Sequence, residues 1–190
     1  MRNHTSILLA ALVAMAACTA PADKGTPITP QQLAQLAADS TAKAQVQAQE
    51  AATRRMYDMF NTGNLDSLAD YMGADVVDHQ VMDPTMTTNK GLPYVRDMIA
   101  RMHTAMPDFH QEILGISTNG DRTYLHLRLT GTNSGPMNGQ PATGKGIDVQ
   151  GVDILRFENG KAVEHWGYME EMKMMQQLGL LPAPDAPAKK

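Results

Sequence analysis

The order of its patterns predicts that the chain folds as an α+β domain, with helices first and a curved antiparallel sheet after them. Three observations carry this expectation. Up to Met106 the apolar residues recur at helical spacing, as in Val95, Met98, Ile99 and Met102. From Asp108 onward the period drops to two, the spacing of strands with one buried face. The last two alternating stretches are joined by Glu158-Asn159-Gly160, and Asn-Gly accepts the positive φ of a tight hairpin at low cost. Helices followed by a run of strands place the helices on one face of the sheet.

The elements follow in order. Residues 1–18 read as a signal segment: Arg2 and His4 precede an apolar run from Ile7 to Ala17, which ends at Cys18, the single cysteine of the chain. The run is too short to span a bilayer. It resembles a bacterial lipoprotein signal in which Cys18 is the lipidated residue; the other reading is a plain secretory signal cleaved nearby. Either reading implies an exported protein of the periplasm or cell envelope, held at the membrane by a lipid anchor only. Thr19 after Cys18 points to the outer membrane if the cell is Gram-negative. Residues 19–30 form a Pro/Ala/Gly-rich tether, residues 31–181 the folded domain, and residues 182–190 a Pro/Ala-rich tail expected to be disordered.

Within the domain, Gln31 to Asn61 is a long helix rich in strong helix formers and free of Gly and Pro. Its first half, Ala/Gln-rich, reads as partly solvated; Met56, Tyr57, Met59 and Phe60 give the second half an apolar side. Thr62-Gly63-Asn64 stops it. A short helix is expected from Leu65 to Met72, then a brief strand at Val76-Val77-Asp78-His79 and a loop from Met82 to Lys90. Gly91 to Met106 is a second long helix with Pro93 in its first turn and Pro107 at its end. Strands are expected at Phe109–Ser117 and Arg122–Asn133, then a Gly/Pro loop to Gly146, then the hairpin.

Composition narrows the function. A net charge of −4 and a pI near 5.8 leave no basic stripe for nucleic acid. Fifteen methionines against three phenylalanines mean a core of flexible side chains, suited either to an adaptable cavity or to ordinary gap-filling. The histidines lack the spacing of a metal site, so no metal is expected. There is no Gly-x-Ser-x-Gly elbow and no phosphate-cradling loop.

Counting by twos along the hairpin puts Ile147, Val149, Asp153, Leu155 and Phe157 on one face of the first strand. On the second, Ala162, Glu164, Trp166, Tyr168 and Glu170 share a face, while His165 points the other way. The hairpin is therefore expected to bring carboxylates, a Trp and a Tyr to one pocket. In the strand before it, Tyr124, His126, Arg128, Thr130 and Thr132 form a polar face expected to point outward.

The motifs Met106-Pro107-Asp108-Phe109, Gly131-Thr132-Asn133-Ser134-Gly135, Pro141-Ala142-Thr143-Gly144-Lys145, Gly151-Val152-Asp153-Ile154, Gly160-Lys161-Ala162-Val163-Glu164-His165-Trp166 and Gln177-Leu178-Gly179-Leu180 together resemble the SnoaL-like polyketide cyclase, or ester cyclase, family of the nuclear-transport-factor-2-like fold. The likeness runs from roughly Glu50 to Leu181. It implies a cone of helices wrapped by a strongly bent sheet, a cavity at its wide end, and a homodimer through the outer sheet face. It implies catalysis without cofactor: an acidic residue near the end of the last strand is the base of an intramolecular aldol closure. That aspartate maps onto Glu170, one methylene longer. Asp153 and Asn133 stand where relatives often carry histidine. His79 occupies a position often polar in relatives, and Trp166 and Tyr57 fall where the family lines its cavity.

The expected catalytic residues are therefore Glu170, Asp153 and His79, with Trp166, Tyr57 and Asn133 binding the substrate. Glu170 reads alternatively as a solvated acid opening the last helix. Asp153 reads either as an acid or base, or as one half of a structural pair with His79, His126 or an arginine. The function expected is carboxylate acid/base chemistry on a small, largely apolar carbonyl or ester compound, by cyclisation, isomerisation or hydrolysis. The alternative is a non-catalytic exported lipoprotein that binds a small hydrophobic molecule.

Overall fold

A computed structural model of the chain describes residues 28–80, 86 and 88–182. The signal-like segment with Cys18, most of the tether, most of the loop from Met82 and the tail beyond residue 182 lie outside the described residues. Helix α1 spans Pro30–Thr62 and opens on a capping box in which the Thr29 hydroxyl accepts from Gln32 N while the Gln32 side chain accepts from Thr29 N. Gly63, at φ 71°, ends it in the left-handed conformation that glycine adopts most cheaply. At 33 residues the helix is about 50 Å long. Its first half lies in solvent, and only from Gln49 onward does it bury a side, formed by Ala52, Thr53, Met56 and Tyr57.

Helix α2 (Leu68–Tyr71) leads directly into β1 (Met72–Asp78). The strand is longer than expected and takes the last residue, Met72, of the anticipated helix. Its cause is not local, because β1 pairs in parallel with β5 at the far end of the chain, Met72 opposite Ala162 and Asp78 opposite His165. Helix α3 (Gly91–Ala105) buries Tyr94, Val95 and Ile99, and then come β2 (His110–Asn119), β3 (Arg122–Thr132), β4 (Gly146–Glu158), β5 (Lys161–Met169) and α4 (Glu171–Gln177).

The five strands form one curved, open sheet in the order β1-β5-β4-β3-β2, antiparallel except at the β1–β5 edge. The α+β architecture is the one the periodicities predict. Leu125, Leu127 and Leu129 of β3 and Ile147, Val149, Leu155 and Phe157 of β4 point to the concave face and form the core with Met56, Tyr57, Val95 and Ile99 from the helices. On β3 the polar set Tyr124, His126 and Arg128 points outward, as expected. The concave face of β4 also matches the count, with Asp153 buried among its apolar neighbours.

On β5 the count fails. The register passes from Phe157 opposite Ala162 to Arg156 opposite Glu164, so Val163 is an extra residue. A bulge of this kind restarts the alternation. Ala162, His165, Gly167 and Met169 face the concave side, opposite Phe157, Leu155, Asp153 and Gly151. Glu164, Trp166 and Tyr168 face outward. The expectation that Trp166 points into the pocket and His165 away from it is thus reversed.

Candidate active site

The concave sheet and the helices enclose a cavity of about 600 Å³. Ten methionines line it, Met56, Met102 and Met169 among them, with Val95, Ile99, Phe109 and Leu155. At its inner wall β1, β4, β5 and α1 converge and place polar groups in this apolar setting. Asp153 comes from the middle of β4, His165 from β5 just past the bulge, Asp78 from the end of β1, and Tyr57 from the buried side of α1.

His165 stands between the two carboxylates. Its Nδ1 is 2.9 Å from Asp78 Oδ1 and its Nε2 is 3.4 Å from Asp153 Oδ2. Burial disfavours the charged ring, but hydrogen bonds and charge from Asp153 and Asp78 outweigh it and hold the imidazole pKa up at about 10. The ring is therefore an imidazolium at neutral pH, which compensates two carboxylates in a poorly solvated place. Asp78, only 4% exposed, also accepts from Tyr94 Oη at 3.2 Å and from Gln80 N at 2.9 Å.

The Tyr57 hydroxyl donates a short hydrogen bond to Asp153 Oδ2. Burial, reinforced by the charge of Asp153, pushes its phenol pKa well above the ordinary value, so Tyr57 stays a donor. Both partners of Asp153 take the same oxygen. Oδ1 accepts no hydrogen bond among the described residues, and the carboxylate lines the cavity. One oxygen is thus positioned by Tyr57 and His165, and the other is free to receive a proton.

Of the residues the sequence singles out, Asp153 and Tyr57 are brought together here. The partners of Asp153 are Tyr57 and His165, not His79, His126 or an arginine. The other four candidates stand elsewhere. Glu170 is exposed at the start of α4, where its carboxylate accepts from Lys173 Nζ and from Gln150 N, each at 2.8 Å. Those two bonds hold its carboxyl below the usual range, which makes it a weak base. His79 and Trp166 stack on the convex side, ring centroids 4.4 Å apart and nearly parallel, with the Arg122 guanidinium 5.1 Å from the Trp centre. His79 Nε2 also meets Glu164 at 2.8 Å. Asn133 is buried, but its amide is consumed in holding the loop after β3: it donates to Gly135 O at 2.8 Å and accepts from Thr143 N at 2.8 Å.

His165, Asp78 and Gln80 are the site residues that sequence reasoning missed. For His165 the hidden signal is the bulge at Val163, which no Gly or Pro marks. Asp78 lay on the expected brief strand, but its inward direction depends on the β1–β5 pairing.

A family model, SnoaL-like polyketide cyclase, matches residues 50–178 of the chain. Among curated proteins the chain is 28% identical over 131 residues to the aklanonic acid methyl ester cyclase AcmA of Streptomyces galilaeus, covering 69% of this chain and 90% of the relative. It is 22% identical over 126 residues to the aklanonic acid methyl ester cyclase DnrD of Streptomyces peucetius, covering 66% and 87%. Among solved structures, TsrD of Streptomyces laurentii superposes with a TM-score of 0.63 at 22% identity, covering 70% of this chain and 96% of that one. A SnoaL-like polyketide cyclase from Agrobacterium tumefaciens gives 0.59 at 19% identity, covering 69% and 98%. At such identities the two structures speak to the fold.

Proposed function

The chain belongs to the SnoaL-like polyketide cyclase family, and from that premise we propose that it is a cyclase-type enzyme using Asp153 as its base on a small, largely apolar carbonyl or ester compound. One observation carries the reading. Asp153 presents to an apolar cavity an oxygen unpaired among the described residues, while its other oxygen is fixed by Tyr57 and His165. A general base must lie within hydrogen-bond reach of the proton it takes and be held in place while doing so.

The step is an aldol closure. Asp153 Oδ1 removes a proton from the carbon between two carbonyl groups, and the charge moves onto the adjacent carbonyl oxygen. The His165 imidazolium, whose Nε2–H points with the Tyr57 hydroxyl at Asp153 Oδ2, places its positive charge beside that enolate. The enolate carbon attacks a second carbonyl carbon of the same molecule and a C–C bond forms. The new alkoxide takes the proton back from Asp153, which returns to carboxylate. Nothing is oxidised and no group leaves, so the sequence balances without a cofactor. Asp78 acts through His165, holding the ring in orientation and charge.

The test is turnover of aklanonic acid methyl ester, the compound named for the two relatives, together with a panel of β-keto esters. Asp153→Asn is expected to lower kcat on the order of a hundredfold or more, since proton transfer by a placed side chain contributes about that much. Conversion by an Asp153→Asn variant at the wild-type rate removes the base. Ligand binding without conversion in the wild type supports the non-catalytic binder instead.

The reading extends to place and assembly. The apolar run ending at Cys18 supports an exported, lipid-anchored protein; palmitate labelling lost in Cys18→Ser is the expected result, and equal labelling contradicts it. The exposed Tyr124, Val152 and Tyr168 on the convex sheet face support a homodimer through that face.

A further inference from the structure

Gly167 of β5 faces Asp153 of β4 across the ladder, and what fills the space above it belongs to neither strand. A Cβ built on Gly167 would overlap the carboxamide of Gln80 and stand 3.1 Å from Asp153 Oδ1. The Gln80 amide therefore rests on the bare backbone of Gly167, beside the Asp153 oxygen that has no partner among the described residues. It reaches there because Gln80 follows directly on β1. Its N–H is held by Asp78 Oδ1 at 2.9 Å, and the preceding His79 N–H donates to His165 O at 2.8 Å. The same Asp78 that holds His165 thus fixes the stem of Gln80.

Gln80 lines the cavity and is half-buried, yet its carboxamide makes no hydrogen bond among the described residues. An amide turned into an apolar cavity with its donors and acceptor unused is costly unless something else supplies the partner. Among the described residues no group pairs with it, and it lines the cavity where a ligand would bind.

We propose that the Gln80 carboxamide is a substrate anchor: it hydrogen-bonds a carbonyl oxygen of the ligand and so sets which C–H lies against Asp153 Oδ1. The inference rests on the reading of Asp153 as base. The bound compound must then carry a carbonyl one bond from the acidic carbon, and a compound with methylene in its place leaves the amide unpaired. Gly167 is part of the device, since any side chain there displaces the amide.

The experiment compares wild type, Gln80→Leu, Gly167→Ala and the double variant that combines them on two probes: a β-keto ester that carries a further ketone able to accept the closure, and its analogue with the β-ketone reduced to methylene. Binding is measured by calorimetry, turnover of the keto ester by chromatographic separation of the isomeric product, and folding by thermal melting. Wild type is expected to prefer the keto ester about tenfold, the scale of one hydrogen bond. In Gln80→Leu and Gly167→Ala the preference disappears and kcat falls about tenfold or more, with Tm little changed. The double variant loses no more than either single one, because both remove the same contact. A wild type that binds the two probes alike, or a preference that survives in Gln80→Leu, overturns the anchor. Asp153→Asn serves as the control that separates the two claims. If it loses turnover while Gln80→Leu keeps both rate and preference, the anchor fails and the base stands. If Asp153→Asn keeps turnover while Gln80→Leu loses the preference, the base fails and the anchor stands.

Discussion

A single imidazolium between Asp78 and Asp153 sets the properties of the site. Because its pKa is raised to about 10 in the fold, His165 contributes stability that is complete below the unfolded value near 6.5 and is lost as pH rises through 10. Thermal melting from pH 6 to 10.5 is therefore expected to fall with the slope of one proton, and His165→Gln is expected to flatten that slope. A slope unchanged in the variant contradicts the assignment. His165→Ala leaves two buried carboxylates uncompensated, a loss on the order of 3–5 kcal/mol by urea denaturation. Tyr57→Phe removes one of the two groups that fix Asp153 Oδ2 and keeps the ring: stability is expected to fall by about 1–3 kcal/mol, and kcat to drop on the order of a hundredfold because the base is no longer held in place. Glu170→Gln, by contrast, breaks only an exposed pair with Lys173 and a bond to Gln150 N, and is expected to leave turnover near that of wild type.

At the scale of elements, what the sequence reveals depends on whether its signals are local. The β4–β5 turn is legible from Asn159-Gly160, and both residues take positive φ as that pair should, 50° and 79°. The concave face of β4 is legible because its alternation runs unbroken from Ile147 to Phe157. The long first helix is legible from its helix formers and the Gly63 stop, and Gly91–Ala105 from its spacing, Pro93 and Pro107. The inner face of β5 is not, because one extra residue with an ordinary side chain shifts its whole second half. Parallel pairing of β1 with β5 is likewise invisible in either segment, and with it the approach of Asp78 and Gln80 to His165. Deleting Val163 removes the extra residue and leaves Phe157 opposite Ala162 and Arg156 opposite Glu164, so the inner face of β5 keeps His165, Gly167 and Met169; cooperative unfolding by circular dichroism is expected to persist, and its loss would contradict this register. The exposed first half of α1 has the opposite character. A chain beginning at Gln47 is expected to keep its Tm within a few degrees, since almost nothing in Pro30–Ala48 is buried.

For the molecule as a whole, an open curved sheet closed by two helices leaves a cavity rather than a filled core. Its methionine lining gives adaptable walls, whereas the polar groups at one end are tightly fixed. Recognition is thus divided: the walls accept shape, and the Asp153 end demands a carbonyl. The convex face carries Tyr168 at 62% exposure beside Val152 at 43%, and sedimentation velocity is expected to show a dimer that Tyr168→Glu converts to monomer. The most direct test of the central claim is a paired turnover assay of Asp153→Asn and Glu170→Gln on the β-keto ester panel. The first is expected to lose on the order of a hundredfold or more, and the second to stay near wild type. Loss in Glu170→Gln with activity retained in Asp153→Asn would contradict it, and would place the base outside the cavity described here.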